Sequence, residues 1–174
     1  MPVGPSAGEA EFVERIGLMF EQLSGQRTAG RIHGWLMIAD PAHQSITEIA
    51  AALGVSKASV STLVRQLEAG SLVERVPVPG TRQHHYRIAE GGWARIWRYR
   101  IARLHAVRET TALGLRALGP DKPGQRERVH ELGDLIAFLE DEYGEAFIRR
   151  WEAYRERQRA ARAAGNRAEG AADD

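Results

Sequence analysis

A mainly α fold with a small β-wing is predicted by three features that fall within residues 45–88. The first two are a pair of short amphipathic helices and the glycine that joins them. The third is a pair of β-rich runs separated by a Pro-Gly turn. In that order they make a winged helix-turn-helix, and longer apolar-striped segments on either side predict long dimerisation helices around it. The expected organisation is a disordered stretch over 1–8, supporting and dimerising helices over 9–42, the winged module over 43–90, long dimerisation helices over 91–160 and a disordered tail over 161–174.

Ser45 precedes Glu48 by three residues, the spacing of a capping box, so the first helix of the module begins there. Ile49, Ala50 and Leu53 share one face, and Gly54 supplies the permissive backbone of a helix end and sharp turn, with Val55 packing the corner. Ser56 is the next N-cap. Val60, Leu63, Val64 and Leu67 then mark the buried face of a second helix that ends near Gly70. Its opposite face carries Lys57, Ala58, Ser61, Thr62 and Arg65, short or basic side chains that fit a helix entering the roughly 12 Å major groove of duplex DNA. With Ser45, Thr47, Ser56 and Ser59 from the same two helix starts, these residues are the candidate DNA contacts.

Residues 72–77 and 83–88 read as the strands of the wing. Between them Val78-Pro79-Gly80-Thr81 favours a type II turn, because proline suits its second position and glycine the positive φ of its third. The ribbon places Arg82 at its tip, where a guanidinium can enter the minor groove or hold a phosphate, with Arg75 and Arg87 at its base; Arg75, Arg82 and His84 are the wing's candidate DNA contacts. Double-stranded DNA is the expected partner. Charge by segment agrees: −3 over 1–55, +6 over 56–103 and −2 over 104–174, although the whole chain carries only +1.

The run Leu53-Gly54-Val55-Ser56-Lys57-Ala58-Ser59-Val60-Ser61, followed by Leu67-Glu68-Ala69-Gly70-Ser71-Leu72-Val73, resembles the MarR family of bacterial regulators. Phe20-Glu21, Gln26 to Leu36 and Asp40-Pro41 are similar to its GbsR-like branch, so the likeness spans roughly residues 10 to 115. It implies a dimeric transcription factor, commonly a repressor, whose DNA affinity falls when a small molecule occupies a cleft between the dimerisation helices and the DNA-binding lobe. Choline-type ligands are suggested by that branch alone. The chain departs from the usual Asp-x-Arg-Arg of the family's wing, having Gly80-Thr81-Arg82-Gln83 instead.

Phe12, Ile16, Met19 or Phe20, and Leu23 make an amphipathic first helix, and Ile32, Trp35, Leu36 and Ile38 a second that Asp40-Pro41 stops. A long helix starts near Trp93, carries Trp97, Ile101, Leu104, Thr111, Leu115 and Leu118, and ends at Gly119-Pro120. A last helix is expected from about Gln125 to Ala164, striped by Leu132, Leu135, Ile136, Leu139, Tyr143, Phe147 and Trp151. So many stripes exceed what a small winged domain can cover, so a homodimer is expected, with two reading heads on a roughly palindromic site. Beyond Tyr154 the chain is Arg/Ala/Glu-rich, and Arg155, Arg157, Arg159 and Arg162 are read as a solvated helical face.

Trp93, Trp97 and Tyr99, with His33 and Trp35 as companions, are the candidate effector pocket, since clustered aromatics enclose apolar or quaternary ammonium ligands. No cysteine is present, which excludes disulfides, thiol-based sensing and cysteine metal ligands. The six histidines show no paired ligand spacing, and His84 and His85 should point to opposite faces of a strand, so neither metal nor cofactor is expected. No phosphate loop, nucleophile elbow or His-Glu-x-x-His appears, which argues against an enzyme. No apolar run approaches the ~20 residues that span a bilayer, nor does the start resemble a signal peptide, so a cytoplasmic protein without a membrane partner is expected. A winged fold used for protein interaction or architectural DNA binding stays open beside the regulator reading.

Overall fold

The structure is a computed structural model and describes residues 5–23, 25–81 and 83–170, with side chains described as far as 165. It divides into two compact units, Met1–Trp93 and Ala94–Asp174.

Among the described residues the first unit holds four helices and a three-stranded sheet. Helix α1 (Ala7–Gln22) opens on a capping box: the Ser6 N–H donates to Glu9 Oε2 at 2.7 Å and the Glu9 N–H to Ser6 Oγ at 3.4 Å. The helix therefore begins within the stretch expected to be disordered over 1–8; residues 1–4 lie outside the described ones. Helix α2 (Arg27–Ile38) packs on α1 through glycines. A Cβ on Gly30 would lie 2.7 Å from Phe20 Cβ and 2.8 Å from both Gly17 Cα and Ile16 O, and one on Gly34 would press on Ile16 at 3.1 Å. Only bare backbone lets the two helices approach this closely. On α1 the buried positions are Val13 and Gly17, with Phe12 and Phe20 packed against the core, whereas Met19, the expected alternative to Phe20, and the C-cap Leu23 are exposed. The Gly17–Gly30 contact sets the helix rotation and turns those two outward.

Helix α3 (Ile46–Leu53) and helix α4 (Lys57–Ala69) follow, joined through Gly54 in the left-handed region at φ 64°. Ile49, Leu53, Val60, Leu63, Val64 and Leu67 share one core with Ile32 and Leu36 of α2. The sheet has the order β1-β3-β2, built from β1 (Gln44–Ser45), β2 (Val73–Val76) and β3 (His85–Ile88), all antiparallel. Strand β1 has no signal in the sequence; two residues are too few to show alternation, and the strand exists because β3 offers it an edge. The turn behaves as its residues predict: the Thr81 N–H reaches Val78 O at 3.3 Å, and Gly80 has φ 82°.

Three helices build the second unit: α5 (Gly92–Ala117), which begins at the end of the first unit, α6 (Pro123–Glu142) and α7 (Glu145–Gly170). The single last helix expected from Gln125 onward is broken at Tyr143-Gly144. A Cβ on Gly144 would meet Glu140 O at 2.6 Å, so the backbone at this break depends on glycine. Helix α7 also runs to Gly170, past the expected start of a tail at 161. Arginine, alanine and glutamate are strong helix formers, and their propensity carries the helix on without a buried face. Arg126 ties α6 to the end of α5, donating to Leu115 O at 2.8 Å and Leu118 O at 2.9 Å, carbonyls left open by the end of that helix.

Replacing Gly30 by alanine is expected to force α1 and α2 apart and to destabilise the chain by about 1–3 kcal/mol, an overpacking cost. Urea unfolding checks this, since an unchanged midpoint would mean the helices tolerate the added methyl.

Candidate DNA-binding site

Helix α4 is positioned by burial of one face and capped by its own first residue. Ser56 Oγ accepts the Ser59 N–H at 3.1 Å. Val60, Leu63, Val64 and Leu67 are turned inward, which leaves Lys57, Ala58, Thr62 and Arg65 exposed and Ser59 and Ser61 partly so. Arg65 is folded along the helix, its Nε donating to Ser61 O at 3.2 Å, with its remaining guanidinium donors free to turn outward. The outward face from Ser56 to Arg65 carries no acidic side chain; the first is Glu68, and it is engaged by Arg75 at 3.4 Å.

Thr47 is exposed at the start of α3. Ser45 is a correction: it is buried, its N–H donates to Glu48 Oε2 at 2.7 Å and its Oγ accepts the Glu48 N–H at 3.2 Å. Both polar groups serve the cap of α3, so the hydroxyl is spent inside the fold. Partial burial pulls the Glu48 carboxyl up, but the Ser45 hydrogen bonds and the neighbouring His85 and His43 outweigh it, and its pKa is lowered. His85 Nε2 stands 3.8 Å from Glu48 Oε2, and its ring meets His43 edge-on at 5.4 Å. This contact between β3 and the start of α3 was not foreseen, because His43, Glu48 and His85 come together only when β1 pairs with β3.

On the wing, His84 is exposed and lies just before β3 rather than in it, while His85 and Tyr86, the first two residues of the strand, are both buried, so the alternation expected of the two histidines is not seen. Arg75 is exposed, with its guanidinium 5.8 Å from the Tyr86 ring and close to Glu68, while Arg87 pairs across the ribbon with Glu74 at 2.7 Å. Arg82, expected at the tip, lies outside the described residues.

The candidate effector residues divide between the units. In the first, the His33 ring lies between Phe20, 5.4 Å away, and Trp93, which it meets edge-on at 6.0 Å. Among the described residues, the buried His33 Nδ1 and Trp35 Nε1 have no hydrogen-bond partner. In the second, Trp97 stacks on Tyr143 at 5.7 Å and meets Phe147 at 5.4 Å, while Tyr99 is exposed with Arg103 5.9 Å from its ring. Among the described residues no group of three or more His, Cys, Asp or Glu side chains could hold a metal ion.

A family model described as MarR family matches residues 27–84, from α2 through most of the wing. A second, described as an MmpR5-like MarR family transcriptional regulator, matches residues 91–155. The chain is also 38% identical over 139 residues to the HTH-type transcriptional regulator MmpR5 of Mycobacterium tuberculosis (strain ATCC 25618 / H37Rv), a match covering 80% of this chain and 84% of that protein. The chain belongs to the MarR family. The crystal structure of a transcriptional regulator matches this MarR-family fold with a TM-score of 0.71 and 36% identity, covering 84% of this chain and 99% of that one. These matches support the MmpR5-like description, and the narrower GbsR-like branch is not supported by them. The family's members named here are transcriptional regulators, which supports a role other than catalysis. Among the described residues no helix is long and apolar enough to cross a membrane.

Burial pushes the His33 pKa down from its ordinary 6.5 to about 4. Its neutral form is thus favoured in the fold, so as pH falls from about 6.5 toward 4 the unfolded chain takes up the proton first and stability is lost. The full loss is about 3 kcal/mol at roughly 1.4 kcal/mol per pH unit. Urea midpoints measured at pH 7 and pH 5 should show a drop in the wild type that His33→Leu largely removes. Parallel pH profiles for both proteins would refute this account of His33.

Proposed function

We propose that this MarR-family protein is a sequence-specific regulator that binds double-stranded DNA as a homodimer, represses from a palindromic operator, and is released from it by a small molecule. The acid-free outward face of α4 carries the reading. A helix with lysine, serine, threonine and arginine on its exposed side, over a fully apolar inner side, is built to lie against phosphates and base edges. Thr47, Ser56, Lys57, Ala58, Ser59, Ser61, Thr62 and Arg65 are the head's contacts in this reading, with Arg75, His84 and Arg82 on the wing. A partner of this kind puts the protein in the cytoplasm.

Dimerisation is supported by apolar side chains that the second unit leaves uncovered: Leu113 on α5 and Leu132, Leu135 and Phe138 on α6 are all exposed. A second copy related by a two-fold axis would cover them and set two α4 helices on one face of a duplex. The effector reading is supported by the unpartnered Nδ1 of His33 and Nε1 of Trp35 in an aromatic setting, since a ligand could hydrogen-bond groups the fold leaves open.

Titration of labelled genomic duplexes across a salt series tests the head. Arg65→Ala should weaken binding to every duplex by a similar factor and flatten the log–log salt slope by about one unit. A wild-type slope in that variant would remove α4 from the phosphate contact. Phe138→Glu is expected to convert a dimer to monomers in light scattering and to lose operator affinity with it; a dimer that survives the charge would place the interface elsewhere.

A further inference from the structure

Helix α7 changes character part-way along. Ile148 is fully buried and Trp151 partly so, and the positions that continue their face, at spacings of three and four, are Arg155, Arg159 and Arg162. From Glu156 to Gly165 every described residue is exposed. An apolar stripe that seats the helix in the second unit thus becomes a stripe of cations: Arg155 is half-buried, with its Nε shielded from solvent, and Arg159 and Arg162 beyond it are exposed. Over residues 155–162 there are four arginines and a single acid, Glu156. The nearest upstream acid, Glu152, is drawn to Arg98 of α5 at 3.4 Å. Among the described residues Arg155, Arg157 and Arg159 have no ion-pair partner, while Arg162 spends only its Nε, on Gln158 O at 3.2 Å.

We propose that this part of α7 is a DNA-binding arm that grips the phosphate backbone of duplex flanking the segment read by α4. The proposal rests on the DNA-binding reading above. Arg155, Arg159 and Arg162 span about 10 Å of helix, against which a duplex sets one negative charge for about every 1.7 Å of its axis. The charge favours a polyanion. A lipid surface fits poorly, since between Arg155 and Gly165 the arm offers alanine and no large apolar side chain to bury in a membrane. Guanidinium forks match phosphate oxygens, and a backbone contact of this kind adds affinity without adding sequence preference.

The full chain and the variant carrying Arg155→Gln, Arg157→Gln, Arg159→Gln and Arg162→Gln are compared on duplexes of about 20 and 40 base pairs that share one binding site, from 50 to 200 mM salt. Glutamine keeps the helix propensity, and circular dichroism confirms it. On the longer duplex the variant should lose at least tenfold in affinity, and its salt slope should flatten by about two units or more, while preference among sequences is unchanged. On the shorter duplex the two proteins should differ little. Equal slopes on the longer duplex overturn the arm. So does a change in oligomeric mass, which would make the stripe a contact between copies. Lys57→Ala with Arg65→Ala separates the two claims: if this head variant loses affinity and the arm variant does not, the arm fails and the head stands, whereas a wild-type protein that binds no duplex removes both.

Discussion

Burial of Val60, Leu63, Val64 and Leu67 is the constraint on which the rest depends. Each such side chain taken from water stabilises the fold by about 1.5–3 kcal/mol, and all four lie on one stripe of a helix of 13 residues. The helix can therefore satisfy its core in one rotation only, and that rotation decides which side chains look outward. Lys57, Thr62 and Arg65 are turned to the surface because of what lies on the other side of the same helix. In the proposed reading, the residues that meet DNA are thus positioned by residues that never do.

Helices α1 and α2 make that arrangement stiff. Gly17 and Gly30 let their backbones touch, and Glu14 pairs with Arg27 at 2.9 Å and also with Arg31. Arg31 then reaches on to Leu53 O at 3.1 Å, the open C-terminal carbonyl of α3. One arginine so connects the supporting helices to the first helix of the reading head. His33, buried neutral on the same helix, gives this support a dependence on pH.

Much of the head was legible because its signals are local. Capping boxes, a glycine at a helix end, and a Pro-Gly turn each act within four or five residues, and Ser45, Gly54, Ser56 and Gly80 all do what their types require. What escaped the sequence depends on tertiary approach. Ser45 looked available for DNA until the cap buried it, and strand β1 exists only because β3 lies beside it. The rotation of α1 follows from glycine contacts that a hydrophobic pattern does not weigh, so Leu23 was placed on the wrong face and the choice between Met19 and Phe20, which the structure gives to Phe20, stayed open. Glycines at 17, 30 and 34, unusual inside helices, were the signal that would have found it. The break at Gly144 was masked by an apolar stripe that runs on through it.

The central claim is that the outward face of α4 reads DNA sequence, and selection of bound duplexes from a random pool by the wild type and by Ser61→Ala and Thr62→Ala tests it most directly. The account predicts a two-fold symmetric motif for the wild type, with half-sites about one helical turn apart. It also predicts a changed base preference within each half-site for at least one variant. A motif identical in all three proteins, or no motif at all, would contradict it.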